Sequence, residues 1–189
     1  MKVIDLTNAD IEKACELLIS RFDCQFDLIV GIAEGGRLIA ETIAQKLYLP
    51  LLLVGRQREL TRYKSKARNM FKHFPKKILN FARITENNCY EMLGKMRKHE
   101  EKLDKINILS NDLSFFENPQ IKNILLVDDA IDSGVTIRDT EKFLQMKNNN
   151  WNIKTAVLTQ TFNRPVKKAD YQIYNRTLVR FPWSNDYKQ

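Results

Sequence analysis

The chain has 189 residues, 43% of them hydrophobic, and 31 basic against 23 acidic side chains leave a net charge of +8. That length predicts one domain with a full core. Cys15, Cys24 and Cys89 show no paired or metal-type spacing and only two histidines are present, which excludes a disulfide scaffold or a zinc site.

The opening Met-Lys-Val-Ile-Asp lacks a basic-then-apolar leader, and the longest apolar stretch, around Leu47 to Val54, is too short to span a bilayer. A cytoplasmic protein without a membrane partner is the expectation. The basic excess is local. Residues 1–54 carry net −3, residues 55–105 net +9 and residues 106–189 net +2. Such a profile argues against a generally basic nucleic-acid binder and for one anion-facing or partner-facing segment.

In chain order, Thr7 or Asn8 caps a helix through Ile11, Ala14, Cys15, Leu18 and Ile19. Phe26 to Ile32 reads as a buried strand, Gly31 to Gly36 as a turn, and Leu38 to Leu47 as a helix with Ile39, Ile43 and Leu47 on one face. Pro50 stops it, and Leu51 to Val54 is a second buried strand. Residues 60–119 look mostly helical and amphipathic, with Leu79, Ile84, Met92, Leu93, Met96 and Leu103 as the expected buried positions. Ile124 to Val127 is a short apolar run suited to a strand buried on both faces. A helix to about Met146, a loop at Asn148 to Asn150 and a strand over Lys154 to Thr159 follow. The tail from Asp170 to Trp183 alternates β-prone residues (Tyr171, Ile173, Tyr174, Leu178, Val179, Phe181) and predicts extra strands. Two strand–helix–strand units imply a doubly wound, mostly parallel α/β sheet with ligands at the carboxyl ends of the strands.

The segment from Ile124 to Thr136 reads Ile-Leu-Leu-Val-Asp-Asp-Ala-Ile-Asp-Ser-Gly-Val-Thr. An apolar strand, an acidic pair (Asp128, Asp129), a small-residue loop and a helix start together suit a phosphate. Loop amides and a helix N-terminus face the anion, Gly134 lets the backbone come close, and Ser133 and Thr136 add hydroxyl donors. An ordinary strand-to-helix turn is the plain alternative. Val30 to Arg37 (Val-Gly-Ile-Ala-Glu-Gly-Gly-Arg) is a second strand-to-helix loop, and alone it reads equally well as a tight turn. Arg56 and Arg58 have period two, so they share a face, suited to gripping an anion or to a solvated edge.

The order of these residues resembles the signature of the type I phosphoribosyltransferases, over residues 1–58 and 120–184. The resemblance implies that family's fold on a single domain over 1–189, with a basic helical insertion at about 60–119 and a C-terminal hood at about 164–184. It implies that Asp128 and Asp129 bind the ribose hydroxyls of 5-phosphoribosyl-1-pyrophosphate and hold Mg2+. Ser133, Gly134, Val135 and Thr136 would cup the 5-phosphate, and Gly35, Gly36, Arg37 and Arg56 the pyrophosphate. Glu34 stands where relatives often carry Lys or Arg, a repulsive neighbour for pyrophosphate unless magnesium intervenes or the side chain turns away.

Ile131-Asp132-Ser133-Gly134 is similar to the loop of the 6-oxopurine enzymes, in which the aspartate is the proposed general acid or base near N7. Asp132 as a cap of the following helix is compatible with that role. The tail Arg180-Phe181-Pro182-Trp183 resembles the bacterial xanthine-guanine type. There a Lys-Pro step contacts the purine O6 and a Trp stacks over the base. Here the step is Arg164-Pro165, and Leu178 aligns with the stacking Trp, leaving Tyr174 or Trp183 to rebuild the platform.

The implied activity is Mg2+-dependent transfer of phosphoribose to a purine-type base with release of pyrophosphate, as in purine salvage, and the resemblance implies a homodimer. A non-catalytic sensor on the same fold, binding a nucleotide or nucleic acid, is the rival reading, and transfer to another nitrogen nucleophile is a third. Residues 55–83 hold ten basic side chains against Glu59, interleaved with Tyr63, Phe71, Phe74 and Phe81. Three readings stay open for them: a flap over a polyanionic substrate, a nucleic-acid surface, and an amphipathic helical insertion with solvated lysines.

Overall fold

The computed structural model of the chain describes residues 1–56, 76–96, 103–110, 112–184 and 187. Helix α1 (Asn8–Ile19) follows strand β1 (Lys2–Asp5), and Thr7 caps it through a capping box with Asp10. Strand β2 (Leu28–Ala33), helix α2 (Arg37–Leu47) and strand β3 (Leu51–Arg56) come next. Tyr48 ends α2 in the left-handed region at φ 54°. Helix α3 (Lys76–Met96), strand β4 (Ile106–Ile108), strand β5 (Asn123–Ile131), helix α4 (Val135–Lys147), strand β6 (Asn152–Gln160), strand β7 (Tyr171–Asn175) and strand β8 (Thr177–Arg180) complete the order.

Six strands form one sheet in the order β4-β3-β2-β5-β6-β7, parallel except for β4, which runs antiparallel to β3. The parallel α/β architecture expected from the sequence is therefore present. Ile124 to Val127 are all fully buried. Leu125 and Val127 face α1 and α2 with Ile11, Leu18, Ile39 and Ile43, while Leu126 joins Val30, Leu52, Ile137 and Leu144 on the α4 side. Each such side chain contributes roughly 1.5–3 kcal/mol by leaving water.

Three expectations are corrected. Strand β5 does not stop at Val127. It continues through the acidic pair to Ile131, because β6 runs beside it and pairs Asp128 with Val157 and Ala130 with Thr159. Strand β4 lies in the stretch expected to be mostly helical; three residues are too few to show alternation in sequence. Met92 was an expected buried position, yet it is 69% exposed, whereas Asn87 on the same helix is buried. Ile84 and Leu103 are half-buried; the side chains of Leu79, Leu93 and Met96 lie outside the described residues.

The tail forms the extra strands expected of it, β7 and β8. Strand β7 extends the main sheet, but β8 leaves it and pairs in parallel with β1, so that Val3 faces Leu178 and Asp5 faces Arg180. This two-stranded hood packs against α3 through polar groups. The buried Arg180 donates from Nη1 to Asp5 Oδ1 at 3.1 Å and from Nη2 to Asn80 Oδ1. A polar face meets α3 there, which is why its apolar periodicity misplaced Met92.

At the opposite end of the sheet, Asp23 accepts from Lys154 Nζ at 2.7 Å and from the Tyr171 hydroxyl. These bonds, that from Lys154 foremost, lower its carboxyl from the usual 3.8 to about 2. A carboxyl depressed on folding stabilises the fold above its unfolded value and loses that contribution as pH falls through its folded one. The stability difference between wild type and Asp23→Asn, from urea melts, should hold steady down to a pH near 3.8 and vanish towards pH 2. A gap unchanged across that window would contradict the assignment.

Candidate functional site

In the strand order β3-β2-β5-β6, the chain leaves β2 towards β3 on one side and β5 towards β6 on the other. The crevice between the carboxyl ends of β2 and β5 is thus the topological switch point, where open α/β sheets take their ligands. Both loops singled out in the sequence end there. Gly31 pairs with Val127, and beyond this register the two loops are in contact.

Glycine is required at Gly36 because a Cβ there would stand 2.6 Å from the Asp128 Cα and 2.9 Å from the carbonyl oxygens of Ile32 and Val127. A Cβ on Gly35 would lie 2.5 Å from Asp129 Oδ2. Successive strand side chains project to opposite faces, and the two carboxylates differ accordingly. Asp128 is buried, and its Oδ1 accepts from the Asp129 amide at 2.9 Å. Asp129 reaches Gly35 and accepts from Trp183 Nε1 at 3.2 Å. Among the described residues no group of three or more His, Cys, Asp or Glu side chains could hold a metal ion.

On the other side of the acidic pair, residues Ala130 to Gly134 with Thr136 and Ile137 line a hollow of about 120 Å³. Gly134 sits at φ 79° before the first turn of α4, and a Cβ on it would come within 2.4 Å of the Lys167 carbonyl. Both the backbone angle and the close approach demand glycine. The Ser133 carbonyl accepts from Val166 N at 2.8 Å, and Ser133 Oγ accepts from Val135 N at 3.4 Å. Thr136 lines the same hollow. The opening amides of α4 and its dipole make this a favourable place for an anion. A larger hollow of about 480 Å³ lies between α1 and α2, beside Ile11, Leu38 and Tyr48, and contains none of the motif residues.

Asp132 is exposed at the smaller hollow and accepts from the Thr161 hydroxyl. Arg164 is exposed, and the segment after it, Val166 and Lys167, is the one held against Ser133 and Gly134. Trp183 stacks on Phe181 with centroids 4.9 Å apart and planes 5° from parallel. Leu178 is buried in the hood opposite Val3.

Arg37 turns along its own helix. Its Nε donates to Glu41 Oε1 at 2.8 Å, and Glu41 raises its pKa further. Both side chains are about half exposed, so the pair is weakened by solvent screening and a competing anion can draw Arg37 away. Arg56 closes β3, but its side chain and the whole of Arg58 lie outside the described residues, as do Tyr63, Phe71 and Phe74. Thr161, Val166 and Lys167 were not singled out from sequence. Thr161 had a usable signal, since it follows the carboxyl end of the strand neighbouring β5.

A family model described as "Phosphoribosyl transferase domain" matches residues 5–187. No curated protein sequence matches the chain significantly. Among solved structures, the chain is similar to the purine phosphoribosyltransferase of Pyrococcus horikoshii at 18% identity and TM-score 0.62, covering 100% of this chain and 98% of that one. It is also similar to the xanthine-guanine-hypoxanthine phosphoribosyltransferase of Helicobacter pylori, at 15%, TM-score 0.59 and coverage of 96% and 91%. The orotate phosphoribosyltransferase of Aeropyrum pernix follows at 13%, TM-score 0.52 and coverage of 89% and 73%. At these identities the likeness is one of fold.

The two loop glycines predict different failures. Gly36→Ala drives a Cβ into backbone atoms and should lower the melting temperature by several degrees, corresponding to roughly 1–3 kcal/mol. Gly35→Ala meets only the end of the Asp129 side chain, so it should leave the melt nearly unchanged and weaken ribose 5-phosphate binding about tenfold. Calorimetric titration beside thermal melts separates the two; equal melts would contradict the contacts.

Proposed function

The chain belongs to the phosphoribosyl transferase domain family, and from that membership we propose that it transfers phosphoribose from 5-phosphoribosyl-1-pyrophosphate to a 6-oxopurine-type base. The observation that carries this reading is the meeting of the two anion-suited loops at one crevice, with Gly35 against the carboxylate of Asp129. A substrate phosphorylated at both ends of a ribose needs two such loops with hydroxyl acceptors between them.

In this reading the base nitrogen forms a bond to C1 of the ribose while the C1–oxygen bond to pyrophosphate breaks, and the base gives up one proton. Asp128 and Asp129 accept from the ribose hydroxyls. The loop from Ser133 to Thr136 holds the 5-phosphate at the start of α4. Gly35 and Gly36 offer backbone amides to pyrophosphate, and Arg37, once released from Glu41, adds its charge, with Arg56 following at the end of β3. These donors stabilise charge that grows on pyrophosphate as it leaves.

Asp132 takes up the proton, oriented by the Thr161 hydroxyl. Arg164 donates to the base, and Trp183, braced on Phe181, supplies the aromatic face next to the acidic pair.

Two carboxylates and no third acidic or imidazole ligand among the described residues suit Mg2+. That ion usually binds one or two carboxylates and takes its other ligands from substrate phosphate oxygens and water. Held by Asp128 or Asp129, it would neutralise pyrophosphate charge. Support for the purine class comes from Asp132 and from the purine and xanthine-guanine-hypoxanthine structures that share the fold. Among the described residues no helix is long and apolar enough to cross a membrane.

Mass spectrometry of products from 5-phosphoribosyl-1-pyrophosphate and a panel of hypoxanthine, guanine, xanthine, adenine, orotate and uracil, with and without Mg2+, should show a nucleotide from an oxopurine only when the metal is present. No product from any base would remove transfer to these bases and turn attention to the sensor or to another nitrogen acceptor, and a pyrimidine product would remove the purine reading. Asp132→Asn should lower kcat about 100-fold while sparing sugar-phosphate binding; parallel losses in both would rule out proton transfer as its role.

A further inference from the structure

Helix α3 belongs to the basic segment that lies between the two loops in sequence, yet one of its side chains is wired to the acceptor side of the site. Glu91 Oε2 takes Arg176 Nη1 at 2.7 Å, and its Oε1 accepts the Asn163 amide at 2.8 Å. The Glu91 side chain is only 11% exposed. The same Arg176 nitrogen donates to the Thr161 carbonyl at 3.0 Å, and the Thr161 hydroxyl donates to Asp132. Thr161 N is held by the Ile131 carbonyl at 2.8 Å. Arg176 itself stands at φ 53° between β7 and β8, with its amide on Gln160 O at 2.8 Å.

We infer that Glu91 is a positioning residue for the acceptor base: through Arg176, Thr161 and Asn163 it sets where Asp132 and Arg164 stand. This rests on the transfer reading above, in which Asp132 and Arg164 face the base. The sugar side is built differently, since Asp129 meets Gly35 and Trp183, and Gly134 meets Lys167. A change at Glu91 therefore reaches the base end of a bound nucleotide and leaves its sugar-phosphate end alone. The contact is partly buried and charge-assisted, so removing the charge strands Arg176 and loosens the turn from Thr161 to Asn163.

The test uses the full chain and three probes, guanosine 5′-monophosphate, inosine 5′-monophosphate and ribose 5-phosphate, titrated calorimetrically into wild type, Glu91→Gln and Glu91→Ala. Glutamine still offers an oxygen to Asn163 N but no charge to Arg176, and it preserves shape if alanine fails to fold. Nucleotide binding should weaken about tenfold in Glu91→Gln and further in Glu91→Ala, with ribose 5-phosphate affinity unchanged. With substrates, the same variants should raise KM for the base and not for 5-phosphoribosyl-1-pyrophosphate. Equal weakening of all three probes would mark Glu91 as merely structural, and unchanged nucleotide affinity would remove it from the site; either overturns this inference alone. A wild type that binds ribose 5-phosphate but gains nothing from either purine would overturn the acceptor reading and this inference with it.

Discussion

The site depends on one close approach, that of the Gly36 backbone to the Asp128 Cα at the carboxyl ends of two adjacent parallel strands. No side chain fits between them. The approach is set by register, since Leu28, Ile29, Val30 and Gly31 pair in order with Ile124 to Val127. A shift by one residue would turn every core side chain of β2 to the wrong face and separate the loops. Core packing on both sides of the sheet thus fixes the distance between the two loops, which lie about a hundred residues apart in the chain. A candidate site assembled this way keeps its shape through backbone register and core packing.

The parallel core and both loops were legible because their signals are local. Ile124 to Val127 is apolar without alternation, as a doubly covered strand must be, and the glycines mark positions where a Cβ has no room. The parts that were not legible depend on partners distant in sequence. Nothing around Val3 and Ile4 announces a strand until Thr177 to Arg180 lies beside it. The burial of Asn87 and exposure of Met92 follow from what the hood offers α3, namely Arg180, Arg176 and the Met1 sulfur, and apolar periodicity does not encode a polar dock. Asp132 was visible as a loop carboxylate, but Thr161, which orients it, lies 29 residues on and is brought near only by the pairing of β6 with β5.

The two sides of the crevice are held by different kinds of force. Where Gly36 meets Asp128 and Gly134 meets Lys167 the constraints are steric, between closely approaching backbones. Around Thr161 and Arg164 they are hydrogen bonds and ion pairs to α3 and the hood, which are directional and easier to rearrange. On the proposed reading, a rigid sugar-phosphate side and an adjustable base side correspond to that division. It also offers a physical reason why one fold serves purine and orotate acceptors in the structures it resembles.

The pairing of β1 with β8 has a kinetic side. Asp5 and Arg180, joined across the hood, are 175 positions apart, and closing so long a loop is entropically expensive and slow compared with forming the sheet beside it. The pairings of β2 with β3 and β5, and of β5 with β6, include no residue of the hood, so the two loops are held by contacts independent of it. Trp183 reaches Asp129 only after β8 has found β1. The two loops thus owe their register to the main sheet, and Trp183 owes its place beside Asp129 to the separate pairing of the hood.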